Sequence, residues 1–379
     1  MEIVRLKEVA KVISGITAPK KFDSAGDIPF YRAGSLEKLI ENEFEEKEKL
    51  NSKDFINKTV PAGTILFAKS GMSILKNRVY KTTKESVIVS HLMGIIPNEE
   101  LIDGDYLKFY FKKNKPSNFS NSSSYPSLKT SDIQDIIIKV PEIEIQKSIA
   151  EELDNIQMMI DIRKKDFEDC NRLINSKLNS YSILEERRMD DVFNIIDGDR
   201  GKNYPKQDEF HDSGYCLFLN TGNVTKTGFD FSTISFITKE KDEALRKGKL
   251  QREDLIMTTR GTLGNIAYYS SDVPYDNLRI NSGMVILRKK DNDYNNKYLE
   301  YLLRSEKFQE EINDNLSGTA QPQIPIGTLK TIKINYISKE DQDDFINYCI
   351  GIESMKEKIQ DDIADLNQLI EIKMANYYN

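Results

Sequence analysis

The chain is poor in the residues from which most active sites are built. Its 379 residues include two histidines, three cysteines and eleven prolines, no two of the prolines adjacent. Without adjacent prolines the Asn/Asp-Pro-Pro-Tyr/Phe motif of amino-methyltransferases cannot occur. Neither Gly201-Lys202 nor Gly248-Lys249 completes a phosphate-binding Gly-x-x-x-x-Gly-Lys-Ser/Thr loop. A histidine base could come only from His91 or His211, and no paired Cys/His spacing suggests a metal. His91 follows the strand-like Ser86-Val87-Ile88-Val89-Ser90, so it could face a groove, although a lone histidine there is more often packed or solvated. Cys170, Cys216 and Cys349 are isolated and odd in number, which argues against a disulfide framework and a zinc site, and the spacing of Cys170 and Cys349 within apolar stripes marks those two as packing residues. No apolar run approaches the length of a membrane span, and Met1-Glu2-Ile3-Val4-Arg5 does not open a signal peptide. The expectation is a cytoplasmic chain with no membrane contact, no catalytic residue, no metal and no cofactor of its own.

What is present is a repeat. Leu66-Phe67-Ala68-Lys69-Ser70-Gly71 matches Ile256-Met257-Thr258-Thr259-Arg260-Gly261 at an offset of 190 residues. Tyr125-Pro126-Ser127-Leu128 falls on Gln321-Pro322-Gln323-Ile324, Ile136-Ile137-Ile138 on Ile332-Lys333-Ile334, and Gln146 on Gln342, all at an offset of 196. The halves share order and spacing more than sequence, as common architecture with divergent specificity would. With 39% apolar and 30% charged residues the chain can bury two cores.

Each mixed, strand-rich block runs into an amphipathic stretch. After Ile145, apolar residues recur in steps of three and four at Ile149, Leu153, Ile156 and Ile160, then at Phe167, Cys170, Ile174, Leu178 and Tyr181. The pattern returns at Phe345, Cys349, Ile352 and Met355, then at Ile359, Ile363, Leu366 and Ile370, behind a capping-box-like Ser338-Lys339-Glu340-Asp341. A helix from Glu144 to Glu186 would be about 65 Å long, more than a domain of about 140 residues can cover. The two stripes are therefore expected to pack on each other, antiparallel, as a coiled coil. The organisation predicted is α+β: a head over 1–141, a long helix over 142–188, a second head over 189–337 and a second long helix over 338–379.

Charge is spread unevenly. The formal balance is −7 overall, but +4 over residues 1–140, −3 over 141–188, −2 over 189–337 and −6 over 338–379. The acid lies in the helices, and near-neutral heads imply modest affinity for nucleic acid unless a basic partner adds phosphate contacts.

Loops after the matching strands combine basic residues, hydroxyls and glycine. In the first half Lys69, Ser70 and Ser73 surround Gly71; in the second Thr259, Arg260, Thr262 and Asn265 surround Gly261 and Gly264. Glycine allows a tight turn or a close approach to phosphate, Arg can fork onto guanine and Asn can pair with adenine. Further polar clusters supply Tyr31, Arg32, Lys76, Asn77, Arg78, Ser123 and Tyr125 in the first half, and Asn223, Arg279, Asn281, Gln321 and Gln323 in the second. Any one of these is more often an ordinary loop residue; recurrence at matched places marks the set as a candidate DNA surface. The scattered Tyr and Phe residues read as core and sheet surface rather than as stacking platforms.

Taken together, these features resemble the specificity subunit of type I restriction-modification systems. The resemblance spans the whole length. It rests on two blocks carrying Thr259-Arg260-Gly261-Thr262-Leu263-Gly264-Asn265 or its weaker counterpart, on the Gly318-Thr319-Ala320-Gln321-Pro322-Gln323-Ile324 segment, and on the helix starts Glu144-Ile145-Gln146 and Asp341-Gln342. The first half departs from it with Lys69-Ser70-Gly71 and with Asn121-Ser122-Ser123-Ser124-Tyr125, and the lead into the second helix lacks prolines. The resemblance implies a non-catalytic subunit that reads a bipartite, asymmetric site in double-stranded DNA and docks two modification subunits. Those subunits would bind S-adenosylmethionine and methylate adenine; added restriction subunits would cut DNA using ATP and Mg. Two other readings stay open: a two-headed coiled-coil scaffold that binds protein, which near-neutral heads permit, and an acidic DNA mimic, against which the balanced heads speak.

Overall fold

The computed structural model describes residues 2–41, 43–121, 125–317 and 322–378. Two compact units emerge, Met1–Lys165 with Ile359–Asn379, and Asp166–Lys358.

The head in the first unit is built on an antiparallel sheet in the order Ala10–Ser14, Leu92–Pro97, Ile65–Ala68, Tyr80–Lys81. The unbroken apolar run of Ile65–Ala68 is explained by packing on both faces. Ile65 and Phe67 enter one core cluster with Met93 and Ile95, while Leu66 joins another with Phe30, Val87 and Leu92. A second sheet orders Lys49–Leu50, Ile28–Tyr31, Val87–Ile88, the last pair parallel. Glu2–Arg5 pairs antiparallel with Ile137–Val140.

The other unit repeats this topology. Its four-stranded sheet runs Phe193–Asp197, Met284–Lys289, Leu255–Thr258, Ile266–Tyr268, and its three-stranded sheet Phe236–Ile237, Cys216–Leu219, Leu278–Ile280, again with a parallel last pair. Glu185–Arg188 pairs with Lys333–Tyr336. The repeat read from sequence is a repeat of fold.

Helices Gly104–Lys113 and Asn296–Arg304 occupy matching places, and each is tied to a long helix by one buried glutamine. Gln146 Oε1 accepts from the Asp103 N–H at 2.9 Å, while its Nε2 donates to the carbonyls of Leu101 (3.1 Å) and Pro141 (2.8 Å). Gln342 does the same with the Asn295 N–H (2.8 Å) and the carbonyls of Asp293 and Ile337, both at 3.1 Å.

The long helices are Ile143–Asn179 and Lys339–Tyr378. Ser338 caps the second, its Oγ accepting from the Asp341 N–H at 3.1 Å and donating to the Asp341 carboxylate at 2.7 Å. The first stops seven residues short of the Glu186 expected from periodicity. Ser180 closes its last turn, the N–H and Oγ both donating to the Lys177 carbonyl, and residues 185–188 are a strand of the second head, not helix.

Within each unit the long helices run antiparallel. In the first, Glu152 takes Lys373 at 2.6 Å and the Tyr377 hydroxyl, and Arg163 pairs with Asp362 at 3.1 Å. In the second, Asp344 takes Lys177 at 2.9 Å and the Tyr181 hydroxyl at 2.5 Å. The apolar stripes serve the heads as well as each other. Ile149, Leu153, Ile156 and Ile160 share the first head's core with Ile370 and Met374, Leu366 packing against them. Phe345 stands edge-on to Tyr181, Tyr298 and Tyr301, and Lys356 lies 5.0 Å over the half-buried Phe167 ring. Ile174, Leu178, Ile352 and Ile359 are buried and Ile363 is half-buried.

Among the described residues no helix is long and apolar enough to cross a membrane. All three cysteines are buried and unpaired; burial pushes the Cys216 and Cys349 thiols up to about 12.

Candidate nucleic-acid interface

In the second head the chain leaves the central strand at Thr258 and makes a braced loop. The Thr258 hydroxyl donates to the Thr262 carbonyl and accepts from the Asn265 N–H at 3.0 Å. Thr259, buried, donates through its N–H (2.8 Å) and its hydroxyl (3.1 Å) to the Gly283 carbonyl. Gly261 (φ 72°) and Gly264 (φ 76°) hold the left-handed backbone that the turn requires. Between them and the sheet, Arg260 bridges Gln323 through backbone and is exposed, with no side-chain partner among the described residues. The Thr262 hydroxyl reaches the Thr221 carbonyl at 3.3 Å. What results is a hydrogen-bonded loop that presents an exposed guanidinium.

The first head builds the same bracket from other residues. Ser70 bridges Ser127 as Arg260 bridges Gln323, and Lys69 donates its N–H to His91 and accepts from Leu128. Lys69 Nζ donates to Ser14 Oγ at 2.9 Å, and Ser70 Oγ lies 2.6 Å from His91 Nδ1, so the exposed His91 sits on the loop. Ser73 and Lys76 follow on the short 3₁₀ turn Met72–Lys76, half-buried and exposed respectively.

Several expected contacts are instead committed inside the heads, and these are corrections. Tyr31 is buried with its ring edge-on to Phe44 and Tyr80, and burial pushes its phenol well above the usual range. Arg32 forks onto Glu48 at 2.6 and 2.9 Å over the rings of Phe22 and Phe30. Arg78 pairs with Glu37. Asn77 turns the chain at φ 49° and accepts from the Ser117 N–H at 2.9 Å. Asn223, buried, donates to the carbonyls of Asp230 (2.9 Å) and Thr233 (2.7 Å). Asn265 donates to the Val224 carbonyl at 2.8 Å, and Asn281 accepts from the Gly283 N–H at 2.8 Å. Arg279 is buried against Asp242 at 2.7 Å and two carbonyls. Each was chosen as a polar loop residue; apart from Asn281, which binds two residues on, its partner lies seven or more residues away in sequence and was invisible there. Ser123 and Gln321 lie outside the described residues, and Tyr125 is exposed.

The structure adds residues that the loop patterns did not single out. Arg200 donates to Asp197 and to the Ser282 carbonyl, both at 3.2 Å, and Arg246, 77% exposed along its side chain, stands 3.8 Å from Asp199. A Cβ at Gly198 would lie 2.1 Å from the Asn281 carbonyl, and one at Gly15 would lie 2.2 Å from that of Val89, so only glycine lets these loops close on the bracket. The sequence signal was the basic, glycine-bearing Gly198-Asp199-Arg200-Gly201-Lys202, weighed only as a nucleotide loop.

A family model for the type I restriction modification DNA specificity domain matches residues 1–168 and again 182–358. The chain belongs to this family. The type I restriction enzyme MjaVIII specificity subunit of Methanocaldococcus jannaschii is 24% identical over 98% of this chain and 87% of its own length. The MjaIX specificity subunit of the same organism is 25% identical over 59% of this chain and 52% of its own. A chain from a solved structure on complex assembly and conformational transition of the type I R-M system superposes over 99% of this chain and 96% of its own, at TM-score 0.63 and 15% identity, a likeness of fold. The protein is the DNA-recognition component of a type I system and not its catalyst.

Proposed function

We propose that each head reads one half of a split, asymmetric site in double-stranded DNA through the major groove. The antiparallel long helices fix the gap between the halves and seat two modification subunits. Those subunits would carry S-adenosylmethionine and flip the adenine that they methylate; restriction subunits would bring ATP and Mg. The observation that carries this is one bracket built twice with different side chains at the same backbone bridge, Ser70 on Ser127 and Arg260 on Gln323. One scaffold with two readouts suits two unlike half-sites. Linking them turns two modest affinities into one tight site through effective concentration. The near-neutral heads fit a chain that binds DNA weakly until a modification subunit supplies phosphate contacts.

The test is methylome sequencing of cells expressing this chain with its modification partner, before and after exchange of residues 1–140 for the equivalent head of a relative. One half of the methylated sequence should change while the other half and the gap stay fixed. If both halves change together, the two-reader assignment is wrong.

A further inference from the structure

We propose that the first head reads its half-site by apolar contact with the 5-methyl groups of thymine, through Met72 and Leu75, where the second head presents a charged and polar set around Arg260. The inference rests on the reading of each head as a half-site reader and extends it to the chemistry of one half.

Met72 and Leu75 are 62% and 48% exposed, at the tip of the loop that Ser70 anchors. They lie on a 3₁₀ turn, where residues three apart eclipse, so both project from one side while Ile74 is buried and pins the turn to the core. Tyr125, 63% exposed, brings its hydroxyl to 3.8 Å from where a Cβ at Gly71 would stand, directly before Met72. Large apolar side chains thus gather on one exposed loop and lose hydration only when something covers them. Polar and basic groups rim them: Lys69, Ser70 with His91, and Lys76.

The corresponding positions of the second head hold none of this apolar surface. At the offset of 190 residues Ser70 corresponds to Arg260 and Met72 to Thr262; beyond them the second loop closes three residues sooner, on the hairpin end at Asn265. Leu263, the one apolar residue of that loop, is half-buried. Both loops leave matching strands at matching backbone bridges, and beyond the shared glycine they differ, a 3₁₀ turn carrying Met72 and Leu75 in one head and a glycine turn three residues shorter in the other, in the way that two half-sites would demand. In the major groove the apolar feature that marks a base is the thymine methyl, which a flexible, polarisable Met suits; an arginine fork marks guanine.

The test uses the assembled modification complex and duplexes in which each thymine is replaced in turn by deoxyuridine, which removes only the methyl. Wild type should lose about three- to tenfold in affinity at one or two positions in the half-site that follows the first head on exchange, and nothing in the other half-site. Met72→Ala and Leu75→Ala, at exposed positions, should bind thymine and deoxyuridine duplexes alike. Wild-type indifference to every replacement, or a first half-site without thymine, would overturn the inference while leaving the half-site reading intact. Variants that weaken complex assembly yet keep the thymine preference would make the patch a protein contact and equally overturn it. Absence of any bipartite preference on unsubstituted DNA would remove the half-site reading, and this inference with it.

Discussion

Replacing Gln342 by alanine should open the junction between the second head and its long helix. The side chain is buried and makes three hydrogen bonds to backbone, accepting from Asn295 and donating to Asp293 and Ile337. Truncation leaves one N–H and two carbonyls without partners, each worth about 1 to 3 kcal/mol if it stays dry. An open cleft lined by Asp293, Asn295 and Gln342 itself lets water reach some of them, so the net loss should be roughly 2 to 4 kcal/mol rather than the full sum. Gln342→Glu keeps the shape but turns an acceptor toward two carbonyls, and should cost at least as much at neutral pH. The assay is native-state hydrogen exchange, which resolves the two units where a single melting curve would average them. Protection at the Asn295 N–H should fall about 30- to 1000-fold, with the first head unaffected, and Gln146→Ala should mirror this at Asp103. A loss below about 1 kcal/mol, or equal loss in both heads from either single variant, would refute the view that these glutamines hold the junctions.

Three further outcomes follow from groups described above. Arg279→Ala leaves the buried Asp242 carboxylate to Lys249 alone and should destabilise the second head by about 3 kcal/mol in urea unfolding, with Asp242→Asn recovering part of the loss; a change in base preference without loss of stability would return Arg279 to the DNA surface. Asp199 is held below its usual range by the N–H groups of Gly201 and, against burial, of Arg246; at Asp242 burial, which alone would raise the value, is outweighed by Lys249 and Arg279. Because the folded values lie below the unfolded ones, their stabilisation is complete above about pH 4 and is lost as pH falls through the folded values, so acid titration by near-UV circular dichroism should show the second head loosening below pH 4, and loosening that begins above pH 5 would contradict this. The three buried thiols should resist a thiol reagent at pH 8 and react together on unfolding, as mass spectrometry after a short pulse would show.

The sequence made the repeat legible because backbone bridges constrain spacing even where side chains diverge. The offset that aligned Ser70 with Arg260 is the one at which both residues bridge the next segment, and Gln146 and Gln342, aligned by position alone, turn out to make equivalent bonds. The long helices were legible from their period, but the end of the first was not: the apolar stripe continues to Tyr181 while the backbone stops at Asn179, and the strand that follows exists only because Lys333–Tyr336 pairs with it. The buried Asn223 and Arg279 were misplaced for a related reason. A polar loop residue looks the same in sequence whether it faces solvent or a carboxylate 37 residues away, as Asp242 is from Arg279. The exposed Arg260 and the buried Arg279 could be told apart only by folding the chain.

Each head is closed by its own first and last strands, residue 2 facing residue 140 in one and residue 185 facing residue 336 in the other. The chain therefore comes in and goes out of a head at nearly one point, beside the start of the long helix that follows. A crossover between related genes at those two places would deliver a complete, already closed reader and leave the helices unaltered. Geometry of this kind makes recombination, rather than the slow accumulation of point changes, a short route to a new target sequence, and the low identity between two heads of one topology is what repeated exchange would leave behind.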